Sequence, residues 1–217
     1  MNKNRFAVLA PGFEHLSYPL DRHDAAEGAA FAERSEQFSF SRAESEPHAQ
    51  MALVSAGGLS EHTSEPVGYV CSGQGEIFVV CRSSGRKARE IAQGERRAFS
   101  TAVVKRLAAL HTGGFGCGGL SPEAVEFAGK QAKLLNPSRL FALQEGETTF
   151  YEAVSTLRAL VSSGVASECD LPRLASAYLS HSPVCRHEVA QHLQKKGRKG
   201  TAKDELVKSA MKIIPFF

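Results

Sequence analysis

The period of the apolar residues changes between residues 67–81 and 99–110, and that change limits the fold more than any other feature. Val67, Tyr69 and Cys71, then Ile77, Val79 and Cys81, fall on every second position on either side of Ser72-Gly-Gln-Gly75. Alternation of this kind places one set of side chains on one face of a strand, and the glycine-containing break predicts a β-hairpin. Further on, Phe99, Val103, Leu107 and Leu110 recur at i, i+4, i+8 and i+11, the spacing of one helix face, up to Gly113-Gly114. Strands first and helices later predict an α+β fold in two unequal lobes. The expected division is a small lobe over 1–82, an antiparallel sheet with one helix, and a helical lobe over 83–217.

Shorter signals fill in the order. Phe6 to Leu9 reads as a strand, and Ala29 to Arg34 or Phe38 to Ser41 as another. A helix is expected from Ser41 to Ala56, with Ser41-x-x-Glu44 as a capping box and Gly57-Gly58 as its stop. Pro47 fits only a first turn, which makes Ser45 a competing N-cap. Val125 to Phe127 and Lys133 to Leu135 read as a second hairpin around Gly129-Lys130. After that the chain reads as helical. Thr149-x-x-Glu152 predicts a cap, Asp170 precedes a helix, Ser182-Pro183 opens another, and Thr201-x-x-Asp204 opens the last.

Charge and composition narrow the function classes. The formal net charge of +3 is spread along the chain, and the single basic run, Lys195 to Lys199, reads as a solvated linker, so nucleic acid is not the expected partner. The apolar run Phe6 to Ala10 is cut by Pro11-Gly12, too short for a signal core or a membrane span. Five cysteines without a CxxC pair suit a reducing compartment, and the expected location is the cytoplasm. His181, Cys185, His187 and His192 lack the paired spacing of a closed zinc site and read as helix-face residues. No GxGxxG opens a helix and GxxxxGK[ST] does not occur, which removes the dinucleotide-binding and P-loop readings.

The most informative run is Leu107-Ala-Ala-Leu110-His111, the glycine-rich stretch to Gly119, Leu120-Ser-Pro-Glu-Ala124-Val125, and then Lys133-Leu-Leu-Asn136-Pro-Ser-Arg139-Leu140. It resembles the protein-kinase-like fold, in particular small microbial kinases of the RIO and lipopolysaccharide-kinase type. There a helix ending in Leu-His leads into a loop that reads H-G-D-L-x-x-x-N, and a short hairpin follows, ending in a second metal-binding Asp. With Leu120 to Glu123 placed on that loop, the resemblance puts Gly119 at the catalytic Asp, Ala124 at the metal-binding Asn, Asn136 at the second metal-binding Asp, and Cys117 at the loop His. It also implies an αC-like helix carrying Glu44 or Glu46, with Arg34 as the basic candidate for the phosphate-clamping lysine. Nothing in 1–30 reads as a glycine-rich phosphate loop.

Phosphoryl transfer needs a carboxylate to orient the attacking hydroxyl and oxygen ligands to hold Mg²⁺ across the phosphates. Gly119 and Ala124 supply neither, and Asn136 offers only a neutral carbonyl. The resemblance therefore implies a catalytically impaired pseudokinase that requires no cofactor, with Mg²⁺ disfavoured and residual ATP binding through Arg34, Glu44 and Asn136 left open. It would act as a binding or regulatory module with a protein partner. One alternative is an atypical phosphotransferase in which Glu123 or Glu126 takes the acid–base or metal role. Another, unrelated to kinases, is a helical interaction module over 148–217 ending in the apolar Ile213-Ile214-Pro215-Phe216-Phe217.

Overall fold

The computed structural model describes residues 6–9, 38–59, 61–71, 75–143, 148–195 and 200–212. It is an α+β protein with an antiparallel sheet in its N-terminal part and helices in its C-terminal part. The chain divides into two compact units, one formed by Met1–Ser84 with Leu134–Arg139, the other by Gly85–Lys133 with Leu140–Phe217. Arg34, the 196–199 part of the basic run and the tail 213–217 lie outside the described residues.

The first unit is built on strands β1 (Phe6–Leu9), β2 (Phe38–Ala43), β3 (Glu65–Cys71) and β4 (Ile77–Arg82), in the order β1-β3-β4-β2 with every neighbour antiparallel. The predicted hairpin is β3–β4, with Tyr69 opposite Val79 and Cys71 opposite Ile77. Tyr69, Val79 and Cys81 face helix α1 (Glu46–Gly58), where Ala49 and Ala52 complete a buried cluster. On the other face Val67, Val70 and Val80 pack with Leu9, Phe38, Phe40 and Phe78; the expected placing of Val67 with Tyr69 is not met, because the register shifts between Pro66 and Gly68. Each such side chain contributes about 1.5–3 kcal/mol when fully buried.

Two expectations change here. Residues 38–43 alternate Phe-Ser-Phe-Ser and run along β4, so Ser41 lies in a strand instead of capping a helix. The cap is Ser45, whose side-chain oxygen accepts the His48 N–H at 3.3 Å, with Pro47 in the first turn. Gly57 and Gly58 stay inside α1, which ends at Leu59. The segment 134–139 is held in the same unit. The Leu134 N–H donates to His62 O and the Ser64 N–H to Leu134 O, each at 2.9 Å, and the Ser39 hydroxyl donates to Leu135 O at 3.1 Å.

In the second unit the connector from Gly85 carries the short strand β5 (Arg86–Lys87) and two 3-10 turns, and then α2 (Arg96–Thr112) begins. Phe99, Val103, Leu107 and Leu110 are all buried, as their spacing predicts. Strand β6 (Phe115–Gly116) follows, then β7 (Val125–Ala128) and β8 (Gln131–Leu134), the predicted second hairpin, with β5 on the outer side of β7. Strand β9 (Phe141–Ala142) pairs with β6. Four helices complete the unit: α3 (Thr148–Ser162), α4 (Leu171–His181), α5 (Pro183–Lys195) and α6 (Ala202–Met211). Thr201 caps α6 through the predicted box, accepting the Asp204 N–H at 3.2 Å. No helix among the described residues is long and apolar enough to cross a membrane.

Candidate functional site

The last turn of helix α2 carries the buried His111, and the mostly glycine stretch that follows could take many conformations by itself. One buried acid on α3 selects the one observed. The Cys117 N–H donates to both oxygens of Glu152, at 3.1 and 3.0 Å, and the Gly118 N–H donates to Oε1 at 2.9 Å. The Cys117 thiol lies 3.5 Å from Oε2. His111 Nε2 lies 3.0 Å from Oε2, while His111 Nδ1 meets the Tyr178 hydroxyl of α4. That hydroxyl also lies 3.4 Å from Thr149 O. One turn further along α3, Thr156 Oγ1 accepts the Leu120 N–H at 2.7 Å.

A carboxylate only 4% exposed is expensive to leave bare, and here both oxygens accept donors. Burial pushes the Glu152 carboxyl up. The bond from His111 and the N–H groups of Cys117 and Gly118 outweigh it and hold the group below the usual carboxylate range. The predicted helix cap at Thr149-x-x-Glu152 is therefore not formed. Helix α3 starts at Thr148, the Thr149 hydroxyl donates to Glu188, and Glu152 turns to the loop.

Two glycines are required by this packing. A Cβ on Gly116 would stand 2.5 Å from the Phe141 ring and 2.8 Å from Glu152 Oε1. Gly119 has φ +86°, and a Cβ there would stand 3.0 Å from Ser155 Cβ. The position that the family resemblance assigns to a catalytic acid is thus left-handed and pressed against α3.

The other sequence-predicted residues fall as follows. Ala124 ends the 3-10 turn before β7 and presents only a methyl group. Asn136 belongs to the first unit, where its carbonyl accepts the Arg139 N–H at 3.3 Å; Arg139 itself is exposed. Glu44 is exposed and precedes α1, so it is not on that helix. Glu46 opens α1 and accepts from the Tyr69 hydroxyl at 2.7 Å, tying the helix to β3. Burial, supported by Glu46 and opposed by donation from Gln50, pushes the Tyr69 phenol up. Glu126 is fully buried and accepts the Gly85 N–H at 3.0 Å, while Glu123 is exposed.

These groups do not fit a Mg²⁺ site. Gly119 and Ala124 carry no ligand atom, Glu152 and Glu126 are occupied by N–H donors, and Glu123 stands at the surface. Among the described residues no group of three His, Cys, Asp or Glu is placed to hold a metal ion. Sequence reasoning missed Glu152, Thr156 and Tyr178 as the residues that shape the loop.

No family model matches the chain, and no curated protein matches it. Among solved structures it is similar to a divergent kinase lacking the glycine-rich loop, described as regulating membrane ultrastructure of the Toxoplasma parasitophorous vacuole. Identity is 10%, the match covers 93% of this chain and 96% of that one, and the TM-score is 0.40.

Proposed function

We propose that this chain is a kinase-like protein without phosphoryl-transfer activity, acting as a binding or regulatory module. The observation that carries the reading is Gly119. The sequence run from Leu107 to Leu140 resembles a kinase catalytic segment, and the residue at the catalytic position has φ +86° with Ser155 Cβ 3.0 Å from where a Cβ would stand. A position shaped around the absence of a side chain supports loss of the acid as a settled feature of this loop. Ala124, with no ligand atom, supports the same reading.

Two buried carboxylates of the second unit do not restore the chemistry. Glu126 is committed to the Gly85 N–H, and Glu152 to the Cys117 and Gly118 N–H groups. Incubation of the full chain with γ-labelled ATP and Mg²⁺, with and without a generic acceptor protein, tests the proposal. The expected outcome is no incorporation of label above a heat-killed control. Stoichiometric or catalytic incorporation would overturn it, and loss of that incorporation in Glu123→Gln would transfer the role to Glu123. Thermal melting with ATP should show the same shift with Mg²⁺ as with EDTA.

A further inference from the structure

The second unit holds an open cleft of about 430 Å³, within the range of small-molecule sites, lined by Lys87, Arg89, Arg96, Glu123, Ser163 and Val165 among others. Among its described lining residues only Glu123 belongs to the run that the kinase reading uses. We propose that this cleft binds a phosphate-bearing small molecule, through the cations of Lys87, Arg89 and Arg96.

Three observations carry this. First, among the described lining residues the cations outnumber the acids by three to one, Glu123 being the single acid. Neighbouring acids are partly engaged elsewhere. Glu95 takes both guanidinium nitrogens of Arg86 at 2.7 Å, and Glu90 accepts the Lys87 N–H at 2.9 Å while lying 3.6 Å from Arg89 Nε. Among the described residues Lys87 and Arg96 have no carboxylate partner.

Second, the wall is held in place. The Arg86–Glu95 fork closes the connector between β5 and α2, buried Ile91 anchors it, and Arg96 donates to Gly164 O at 3.1 Å, which fixes the direction of its guanidinium. A guanidinium positioned beforehand loses less entropy when it takes an anion. Third, α2 starts at Arg96 with no acid in its first turn, and its N-cap Glu95 turns its carboxylate to Arg86 without capping the helix, so part of the positive end of the dipole remains beside those cations. Glu123 accepts hydrogen bonds and repels a second negative charge. The favoured ligand is therefore one phosphate group on a hydroxyl-bearing body.

Isothermal titration of the full chain, with ¹H–¹⁵N shift mapping, tests this using inorganic phosphate and ribose 5-phosphate as probes. Saturable binding is expected, with shifts confined to residues around 87–96, 123 and 163. Affinity should fall about tenfold in the doubly substituted Lys87→Gln/Arg89→Gln variant. Arg89 is 77% exposed, so its replacement leaves the fold alone. Glu123→Gln should tighten inorganic phosphate, an effect that a merely structural role for Glu123 would not produce. Tighter binding of the sugar phosphate identifies the ester as the ligand, and equal binding identifies free phosphate. The proposal is overturned by no saturation with either probe at about 20 mM. It is also overturned if the double variant binds like wild type, or if Lys203→Gln on α6 weakens binding as much.

Discussion

Replacing Glu152 by alanine removes at once the acceptor for the Cys117 N–H, the Gly118 N–H and the His111 ring. The Cys117 N–H and the His111 ring lie in the interior beside α3, where a donor without a partner costs about 1–3 kcal/mol, while the Gly118 N–H is part-buried and loses less. Water entering the vacated space recovers part of that, so the expected loss is about 4 kcal/mol, a large share of the ~5–15 kcal/mol that holds a typical domain folded. Glutamine keeps one carbonyl oxygen for the two backbone N–H groups. The imidazole can change tautomer, accepting from the new amide at Nε2 and donating to the Tyr178 hydroxyl from Nδ1. Only the charge assistance is then lost, about 1–2 kcal/mol. Urea unfolding at constant m-value reads both variants, and amide hydrogen exchange at Cys117 and Gly118 reports the loop directly. If alanine costs less than about 1 kcal/mol, or glutamine costs as much as alanine, then Glu152 does not organise this loop and the account of the site fails.

Other outcomes follow from the same geometry. The folded-state pKa of Glu152 lies below its unfolded value, so its contribution is complete above the ordinary carboxylate pKa of about 4.3 and fades as pH falls through the folded value. The urea midpoint should drop below about pH 4.5 in the wild type, and drop less in Glu152→Gln. Gly119→Asp should destabilise by about 1–3 kcal/mol through its left-handed backbone and its contact with Ser155, and should create no phosphoryl transfer; a neutral effect on thermal unfolding would contradict the packing. Ser45→Ala should cost about 1 kcal/mol in urea by removing the α1 cap. Glu126→Ala should cost about 1–3 kcal/mol because the Gly85 N–H loses its buried acceptor, with exchange at Gly85 as the local readout.

Elements marked by an uninterrupted period were legible from the residues alone. Helix α2 follows from Phe99, Val103, Leu107 and Leu110, and the β3–β4 hairpin from Tyr69, Val79 and Cys81, since each set buries on one face. Where two local signals competed, tertiary pairing decided. Ser41 carries a helix-start signature, yet Phe38 and Phe40 gain more by packing on the sheet, which leaves Ser45 as the cap. The site was the least legible part. Thr149-x-x-Glu152 reads locally as a cap, and nothing in the sequence indicates that Glu152 meets Cys117 and Gly118 more than thirty positions earlier. Glycine spacing told where the loop lies; the acid that shapes it was visible only in three dimensions.

The stretch Leu134–Arg139 has a consequence for how the protein is made. The polypeptide passes between its two units at Ser84–Gly85, again at Lys133–Leu134, and again at Arg139–Leu140. The four strands of the N-terminal sheet end by Arg82, whereas Leu134, which donates to His62 O and accepts the Ser64 N–H, is translated only after α2 and the glycine loop. The sheet can therefore form as it emerges from the ribosome, while the ties from His62 and Ser64 to Leu134 are added later. Those ties are made only after α2 and the glycine loop have been translated, when the end of the second hairpin returns to the first unit.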